Sequence, residues 1–209
     1  IKSEYNFKYF GRFYFPYNLE SDYIYVVDDD IIPSKYWMEK CINKSKELNA
    51  IVTGSGRLLY DGNYSILDSA ENFKYGMVGD RGNDGFNSCP EDTVVDYACN
   101  SYFFKRTWLE HFMKHKPYFM GNGEDIHLSA TCKVSAGIST VVLQQDLSTT
   151  SNSKGVYGAD EAASWRKGGF FKQRRNFVKY SVEEIGLKPV LWSTSSHQSA
   201  RTRKELVAA

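Results

Sequence analysis

Residues 23–33 read Tyr23-Ile24-Tyr25-Val26-Val27-Asp28-Asp29-Asp30-Ile31-Ile32-Pro33, an apolar run that ends in three consecutive carboxylates. Aromatic and β-branched residues without polar alternation predict a strand buried on both faces, as in a parallel sheet covered by helices. In an extended backbone, Asp28 and Asp30 project to the same side while Asp29 turns away. Ligand sites of open α/β sheets lie beyond the carboxyl ends of the strands. This stretch therefore predicts the α/β class and the place of a ligand site.

Three adjacent carboxylates repel one another unless positive charge lies between them, and a hard divalent cation is the natural candidate. The alternative is a solvated acidic turn closed by Pro33, although a turn needs one aspartate rather than three. An EF-hand loop that begins at Asp28 is excluded, because Pro33 occupies the sixth position, where that loop requires glycine.

The composition limits the classes of protein to consider. A chain of 209 residues fits one domain, and a net charge of +1 provides no basic field for nucleic acid. The four cysteines are widely spaced without a CxxC pair, which predicts reduced, buried thiols rather than a zinc site or a disulfide framework. We see no transmembrane segment and no signal peptide, and the first residue is Ile rather than Met.

Periodicity and turn residues predict alternating helices and strands along the rest of the chain. Helices are expected over residues 5–15, 33–49, 106–115, 124–135 and 165–180, and strands over 23–27, 50–53, 93–98, 101–104 and 139–143. Residues 79–92 and 144–164 are predicted to be polar loops. We expect a single domain over residues 1–192 and a polar tail or linker over residues 193–209.

A second acidic cluster follows a glycine-rich bend, where Gly121-Asn122-Gly123 delivers Glu124 and Asp125 to the start of a predicted helix. Acidic residues in a first helical turn are favoured by the helix dipole, so the pair has a purely structural interpretation. The functional interpretation places a general base beside the cleft. The basic helix over residues 165–180 is in turn either a solvated face or a cover over an anionic ligand, to which arginine offers a bidentate fork.

With both acidic clusters in place, the sequence resembles the metal-dependent glycosyltransferases of the GT-A fold, the nucleotide-diphospho-sugar transferases. It looks most like family-2-like members found in large DNA viruses and bacteria. The matching segments are residues 8–13, 28–33, 95–97 and 123–129. The resemblance implies a Rossmann-like fold with a mixed, mainly parallel sheet flanked by helices. Only 27 residues precede Asp28, so the N-terminal β-α-β unit is short or missing, and further domains are expected beyond either terminus.

The donor side of the site follows from the chemistry of a sugar–diphosphate bond, which breaks with negative charge accumulating on the diphosphate. A cation that bridges its oxygens, Mn²⁺ or Mg²⁺, stabilises that charge. We expect Asp30 to hold the cation, with Asp28 as a second ligand or as an acceptor for the ribose hydroxyls. The residues assigned to donor binding are Arg12, Asp28, Asp29, Arg174 and Arg175.

The acceptor hydroxyl needs a carboxylate to remove its proton as it attacks. We assign this base to Asp125, with Glu124 or Asp96 positioning the acceptor, and an ionised base opposite the leaving group predicts inversion. His127 is a candidate for the metal shell, although a helical histidine this close to a bend is more often structural. The implied partners are a nucleotide-sugar, UDP-linked by preference, and a glycan or glycoprotein acceptor. The implied location is the cytoplasm, that of the host if the source is a virus.

Two rival functions stay open at this point. A sugar nucleotidyltransferase is the nearest in chemistry, because residues 54–58 superficially resemble its glycine-rich signature. That signature belongs on the first strand, ahead of the metal aspartate, whereas here it follows. The other rival is a non-catalytic module that binds a nucleotide or a carbohydrate, a degenerate transferase without its N-terminal unit.

Overall fold

The computed structural model describes residues 4–60, 64, 67, 76–79, 89–153 and 163–192. Within these ranges the strands are β1 (Tyr23–Val27), β2 (Ile51–Thr53), β3 (Ser55–Arg57), β4 (Met77–Val78), β5 (Thr93–Val95), β6 (Tyr97–Cys99), β7 (Ser101–Lys105) and β8 (Thr140–Val142). The predicted tail over residues 193–209 lies outside the described residues, as do residues 80–88 and 154–162 of the two predicted loops.

The α-helices are α1 (Gly11–Tyr14), α2 (Trp37–Leu48), α3 (Leu109–Lys114), α4 (Glu124–Ala136) and α5 (Phe170–Tyr180). Short 3₁₀ turns cover Lys8–Phe10, Phe15–Asn18, Arg106–Trp108 and Ser164–Arg166, and Ser181–Ile185 forms a π-helical turn. Among the described residues, no helix combines the length and the apolar character needed to cross a membrane.

The larger sheet has the strand order β1-β7-β2-β8-β5. β1 and β7 pair antiparallel from Tyr23 opposite Lys105 to Val27 opposite Ser101, while β2 and β8 pair parallel. β7 is also antiparallel to β2, and β5 is antiparallel to β8. β1, β2 and β8 therefore point the same way, and their carboxyl ends lie at one edge of the sheet.

The prediction of a mixed α/β sheet flanked by helices is confirmed, but two of its details are wrong. Among the neighbouring strands that the structure describes, only β2 and β8 run parallel, so the sheet is not mainly parallel. β1 is not fully buried either: its side chains reach the cores on both faces, but it forms an edge of the described sheet and has a neighbouring strand on one side only. Ile24 is its one buried residue, and Val27 is 39% exposed.

Helices cover both faces of this sheet. On one face, α2 places Trp37 and Cys41 against Val52 and Phe103. On the other, a larger core joins residues before β1 to α3, α4 and α5, with Phe104 of β7 among its members. Phe103 and Phe104 serve opposite faces because successive side chains of a strand alternate.

A smaller antiparallel sheet, β4-β3-β6, continues from the larger one. The chain passes from β6 to β7 at Asn100, whose φ of 64° is in the left-handed region that asparagine tolerates better than most residues. The backbone carbonyl of Asn100 accepts the amide of Asp28 at 2.9 Å. This bond fixes the end of β1 at the position where the acidic residues begin.

Candidate active site

The three aspartates form a tight turn directly after β1. The amide of Ile31 donates to the carbonyl of Asp28 at 3.1 Å, so the chain turns there instead of continuing in the extended form assumed from the sequence. Asp29 is exposed, while Asp28 and Asp30 are half-buried. The charge of Asp30 raises the pKa of Asp28 more than that of Asp29 does, which indicates that the first and third carboxylates are electrostatically the closer pair.

The second acidic cluster opens α4, and Gly123 sets its position. Gly123 has a φ of 86°, and an added Cβ there would lie 2.4 Å from the ring of Phe177, so only glycine fits. Its carbonyl accepts the amide of His127 and begins the helix. Glu124 and Asp125 follow in the first turn, each only 6% exposed. The helix predicted over residues 124–135 after a glycine bend is confirmed, and it ends at Ala136, with Gly137 as its C-cap.

Arg12 brings the two clusters into one site. Its Nη1 donates to Oδ1 of Asp28 at 2.6 Å, and its Nη2 lies 3.4 Å from Oε1 of Glu124. The guanidinium carbon lies 5.6 Å from the centre of the Tyr102 ring, on the strand that pairs with β1. One side chain from α1 thus spans the end of β1 and the start of α4.

Burial and neighbouring charges together raise the pKa values of two carboxyl groups at this site. Burial raises the pKa of Asp28 to about 6, Arg12 opposes this shift, and the charges of Asp30 and Asp125 add to it. Burial also raises the pKa of Glu124 to about 7, with a further contribution from the neighbouring carboxylate of Asp125. Both groups thus titrate near neutral pH, as is often found for acids and bases in active sites.

Arg174 forms a second ion pair, which is fully enclosed. Its Nη2 lies 2.7 Å from Oδ2 of Asp125, and Nη1 donates to Oδ1 of Asn122 at 3.1 Å. The guanidinium carbon is 5.2 Å from the ring centre of Tyr97 and 5.5 Å from that of Phe170. The other oxygen of the Asp125 carboxylate accepts the amide of Ile126 at 2.8 Å. Both oxygens of Asp125 are therefore engaged inside the protein.

Asp96, predicted to position the acceptor, holds two distant parts of the backbone. Its Oδ2 accepts the amide of Leu59 at 2.7 Å, and its Oδ1 accepts the amide of Val190 at 2.7 Å. The side chain is buried, and this burial raises its pKa to about 6 despite the two hydrogen bonds. These contacts favour a structural role for Asp96 between β5 and β6.

The other candidates are placed less centrally. His127 is fully buried, with Nε2 3.1 Å from the carbonyl oxygens of both Phe112 and His115, and burial lowers its pKa to about 4. These are structural contacts of a neutral imidazole. Arg175 is exposed on α5, and Asp29 is exposed in the turn. Their assignment to donor binding stays a prediction.

The glycine-rich residues 54–57 belong to the sheets. Gly54 joins β2 to β3, and its carbonyl accepts Nε2 of Gln145 at 2.6 Å. A Cβ on Gly56 would lie 2.7 Å from Val95 and 2.8 Å from the carbonyl oxygen of Tyr97. The glycine at this position is therefore explained by strand packing without a phosphate.

The donor atoms at the end of β1 suit a hard cation. Asp28 and Asp30, both half-buried, offer carboxylate oxygens two residues apart in this turn. Among the described residues, no group of three His, Cys, Asp or Glu side chains could hold a metal ion. Two carboxylates still fit Mg²⁺ or Mn²⁺, because such ions often take one or two protein carboxylates and complete their shell with substrate phosphates and water.

Comparisons of the chain with protein-family models, with curated proteins and with solved structures gave no match. The function must therefore be argued from the site itself.

Several residues that shape the site were not predicted from the sequence. Tyr102 and Tyr97 lie against Arg12 and Arg174, and Asn122 accepts a hydrogen bond from Arg174. Asn122 stands inside the quoted glycine-rich bend, which was the one available signal. The two tyrosines lie in ordinary strand sequence, where nothing local distinguishes a ring that packs on a guanidinium from one in the core.

Proposed function

We propose that the protein is a glycosyltransferase that depends on a divalent cation and moves a sugar from a nucleotide-diphospho-sugar, UDP-linked by preference, to a hydroxyl group of a glycan or glycoprotein. The observation that carries the proposal is the bridge from Asp28 through Arg12 to Glu124. It joins a carboxylate pair suited to a cation with a buried carboxylate suited to proton transfer. An inverting sugar transfer from a diphosphate needs both groups on opposite sides of the reacting carbon.

On the donor side, Asp30 and Asp28 would hold the cation, Mn²⁺ or Mg²⁺, through carboxylate oxygens. The bound cation would supply positive charge against the diphosphate leaving group. Arg12 adds a planar guanidinium that binds phosphate oxygens in a bidentate manner. Its side chain is 25% exposed, so an incoming diphosphate can reach it.

On the acceptor side, the geometry favours Glu124 over Asp125 as the general base. Both oxygens of Asp125 are engaged, by Arg174 and by the amide of Ile126. Glu124 lies 3.4 Å from Arg12, a longer contact than the 2.7 Å between Asp125 and Arg174. Its pKa is raised to about 7, and a value near neutrality suits proton abstraction. Asp125 then acts through Arg174, which fixes the start of α4 against α5.

One observation favours the non-catalytic module. Both arginines pair with carboxylates of the chain itself, as expected for a cluster that serves stability after catalysis is lost. Such a module would still bind a nucleotide with a cation but would not turn over any nucleotide-sugar.

A panel of nucleotide-sugars, scored for hydrolysis with Mn²⁺ and with a chelator, tests the proposal without knowledge of the acceptor. We expect Mn²⁺-dependent release of the nucleotide from at least one donor. Metal-dependent UDP binding without turnover, also in the presence of a glycan mixture, would replace the proposal with the module. Release of pyrophosphate from a nucleoside triphosphate and a sugar phosphate would instead indicate a nucleotidyltransferase.

A further inference from the structure

Arg12 occupies a position that a site for a cation and a diphosphate would need. Its Nη1 donates to Oδ1 of Asp28 at 2.6 Å, within the range of a charge-assisted hydrogen bond. The two side chains are 25% and 29% exposed, so ions and solvent reach the pair. Oδ1 of Asp28 cannot accept this hydrogen bond and bind a divalent cation in the same direction.

The charges around Arg12 explain why it takes this position. Among the described residues, the carboxylates whose charges act on Arg12 are those of Glu124, Asp28 and Asp125. Arg174 is committed to Asp125 inside an aromatic enclosure. Arg12 lies 2.6 Å from Oδ1 of Asp28 and 3.4 Å from Oε1 of Glu124, and its guanidinium carbon lies 5.6 Å from the ring centre of Tyr102.

We propose that Arg12 is an exchangeable counter-ion. It neutralises Asp28 until the cation and the nucleotide diphosphate bind together, and it then moves from Asp28 to the diphosphate. The inference rests on the proposed function and adds a regulation of the same site. The cation replaces the guanidinium at Asp28, and the diphosphate provides the guanidinium with a new anionic partner, so each ion keeps a partner of opposite charge. The Nη2 contact keeps Arg12 beside Glu124 during the exchange.

This arrangement couples the two ligands. Without a diphosphate, Arg12 competes with the cation for Asp28 and weakens its binding. With a diphosphate, Arg12 strengthens donor binding. Cation and nucleotide therefore bind with positive cooperativity, and the coupling is reciprocal because it is a free energy shared by both equilibria.

Substitution of Arg12 by glutamine separates this role from its alternatives. We expect Arg12→Gln to bind Mn²⁺ alone about tenfold more tightly, as measured by electron paramagnetic resonance of the free ion, because Asp28 loses its competitor. The same variant should bind UDP about tenfold more weakly at saturating Mn²⁺, as measured by calorimetry. Lys8→Gln removes a positive charge four residues earlier and serves as the matched control, with both affinities unchanged.

The exchange is supported if Arg12→Gln binds Mn²⁺ more tightly than the wild type and binds UDP more weakly. Arg12→Gln with unchanged or weaker Mn²⁺ binding would overturn it, since a purely structural arginine weakens both ligands and a simple phosphate ligand affects UDP alone. If Arg12→Gln does not fold, Arg12→Lys is used in the same two titrations. One ammonium group cannot contact both carboxylates as the guanidinium does, so this variant should also bind Mn²⁺ more tightly and UDP more weakly than the wild type. Wild-type protein that binds neither Mn²⁺ nor UDP would overturn the proposed function as well. If the wild type turns over a nucleotide-sugar but Arg12→Gln does not show tighter Mn²⁺ binding with weaker UDP binding, the exchange is overturned and the proposed function stands.

Discussion

Two arginine–carboxylate pairs, one at the end of β1 and one at the start of α4, differ in enclosure. The side chains of Arg174 and Asp125 are 6% and 8% exposed. The rings of Tyr97 and Phe170 lie against the guanidinium of Arg174, and its Nη1 donates to Oδ1 of Asn122. Arg12 and Asp28 are 25% and 29% exposed, and the second nitrogen of Arg12 has a longer contact to Glu124. The same two chemical groups therefore form a fixed contact in one place and an accessible one in the other.

The difference separates structure from chemistry within one cluster. A buried pair that loses one partner leaves an uncompensated charge in the interior, so it holds α5 against α4 whether or not a ligand binds. An accessible pair contributes little to stability, since solvent screens it, and its members can change partners. We therefore place ligand exchange at Arg12 and Asp28 and assign Arg174 and Asp125 to positioning.

The largest expected effect concerns the base that lies between the pairs. Glu124→Gln should lower the transfer rate by about 10²- to 10⁴-fold, the usual contribution of general base catalysis, with Mn²⁺-dependent UDP binding retained. Asp125→Asn is the matched control, and its rate per folded molecule should fall much less. The reverse order of the two rates would assign the base to Asp125, as the sequence alone implied.

The next effect concerns the stability of the enclosed pair. Arg174→Met should lower the free energy of unfolding by about 3–5 kcal/mol, because Asp125 is left buried without its partner. Arg12→Gln should change it by about 1 kcal/mol or less. Urea denaturation measures both, and the double variant Arg174→Met/Asp125→Leu should regain most of the loss. Equal effects at the two arginines would remove the distinction between the pairs.

Glu124 links the site to pH in two ways. The proposed base must be ionised to accept a proton, so kcat/KM for transfer should rise with pH and level off above about 7. Its folded pKa lies above the ordinary value of 4.5, so its contribution to stability is fully present below about 4.5 and is lost as the pH rises through about 7. Denaturation midpoints at pH 5 and pH 8 measure this loss, and Glu124→Gln should reduce the difference between them. A midpoint difference as large in Glu124→Gln as in the wild type would contradict the assignment.

A modest effect is expected at Asp96, outside both pairs. Asp96→Asn keeps one acceptor oxygen and loses the other, so the free energy of unfolding should fall by about 1–2 kcal/mol through the lost bond to the amide of Leu59 or Val190. The KM for the acceptor should stay unchanged. A higher KM at unchanged stability would return Asp96 to the acceptor site, where the sequence placed it.

Local sequence patterns predicted the elements of the fold better than their arrangement. The bounds of β1 and the glycine-bounded α4 were predicted, because β-branched runs and glycine caps act over a few residues. The edge position of β1 depends on which strands pair with it, and its apolar run has the same pattern at an edge as in the interior.

The same limit applies to the site. The carboxylates of Asp28, Asp30, Glu124 and Asp125 were found as clusters, since adjacent acids stand out in a sequence. Their partners Arg12 and Arg174 were expected to bind a diphosphate, and the structure pairs both with carboxylates of the chain. Such pairs join residues far apart in sequence, and only the packing of α1 and α5 against α4 determines them.

The central claim is that the end of β1 and the start of α4 form one site for a cation and a nucleotide diphosphate. Calorimetric titration of UDP into wild-type protein and into Asp30→Ala, each with and without Mn²⁺, tests it most directly. We predict that the wild type binds UDP only with Mn²⁺ and that Asp30→Ala loses this binding while its thermal unfolding is unchanged. UDP binding that is independent of Mn²⁺, or equal in the two proteins, would contradict the account.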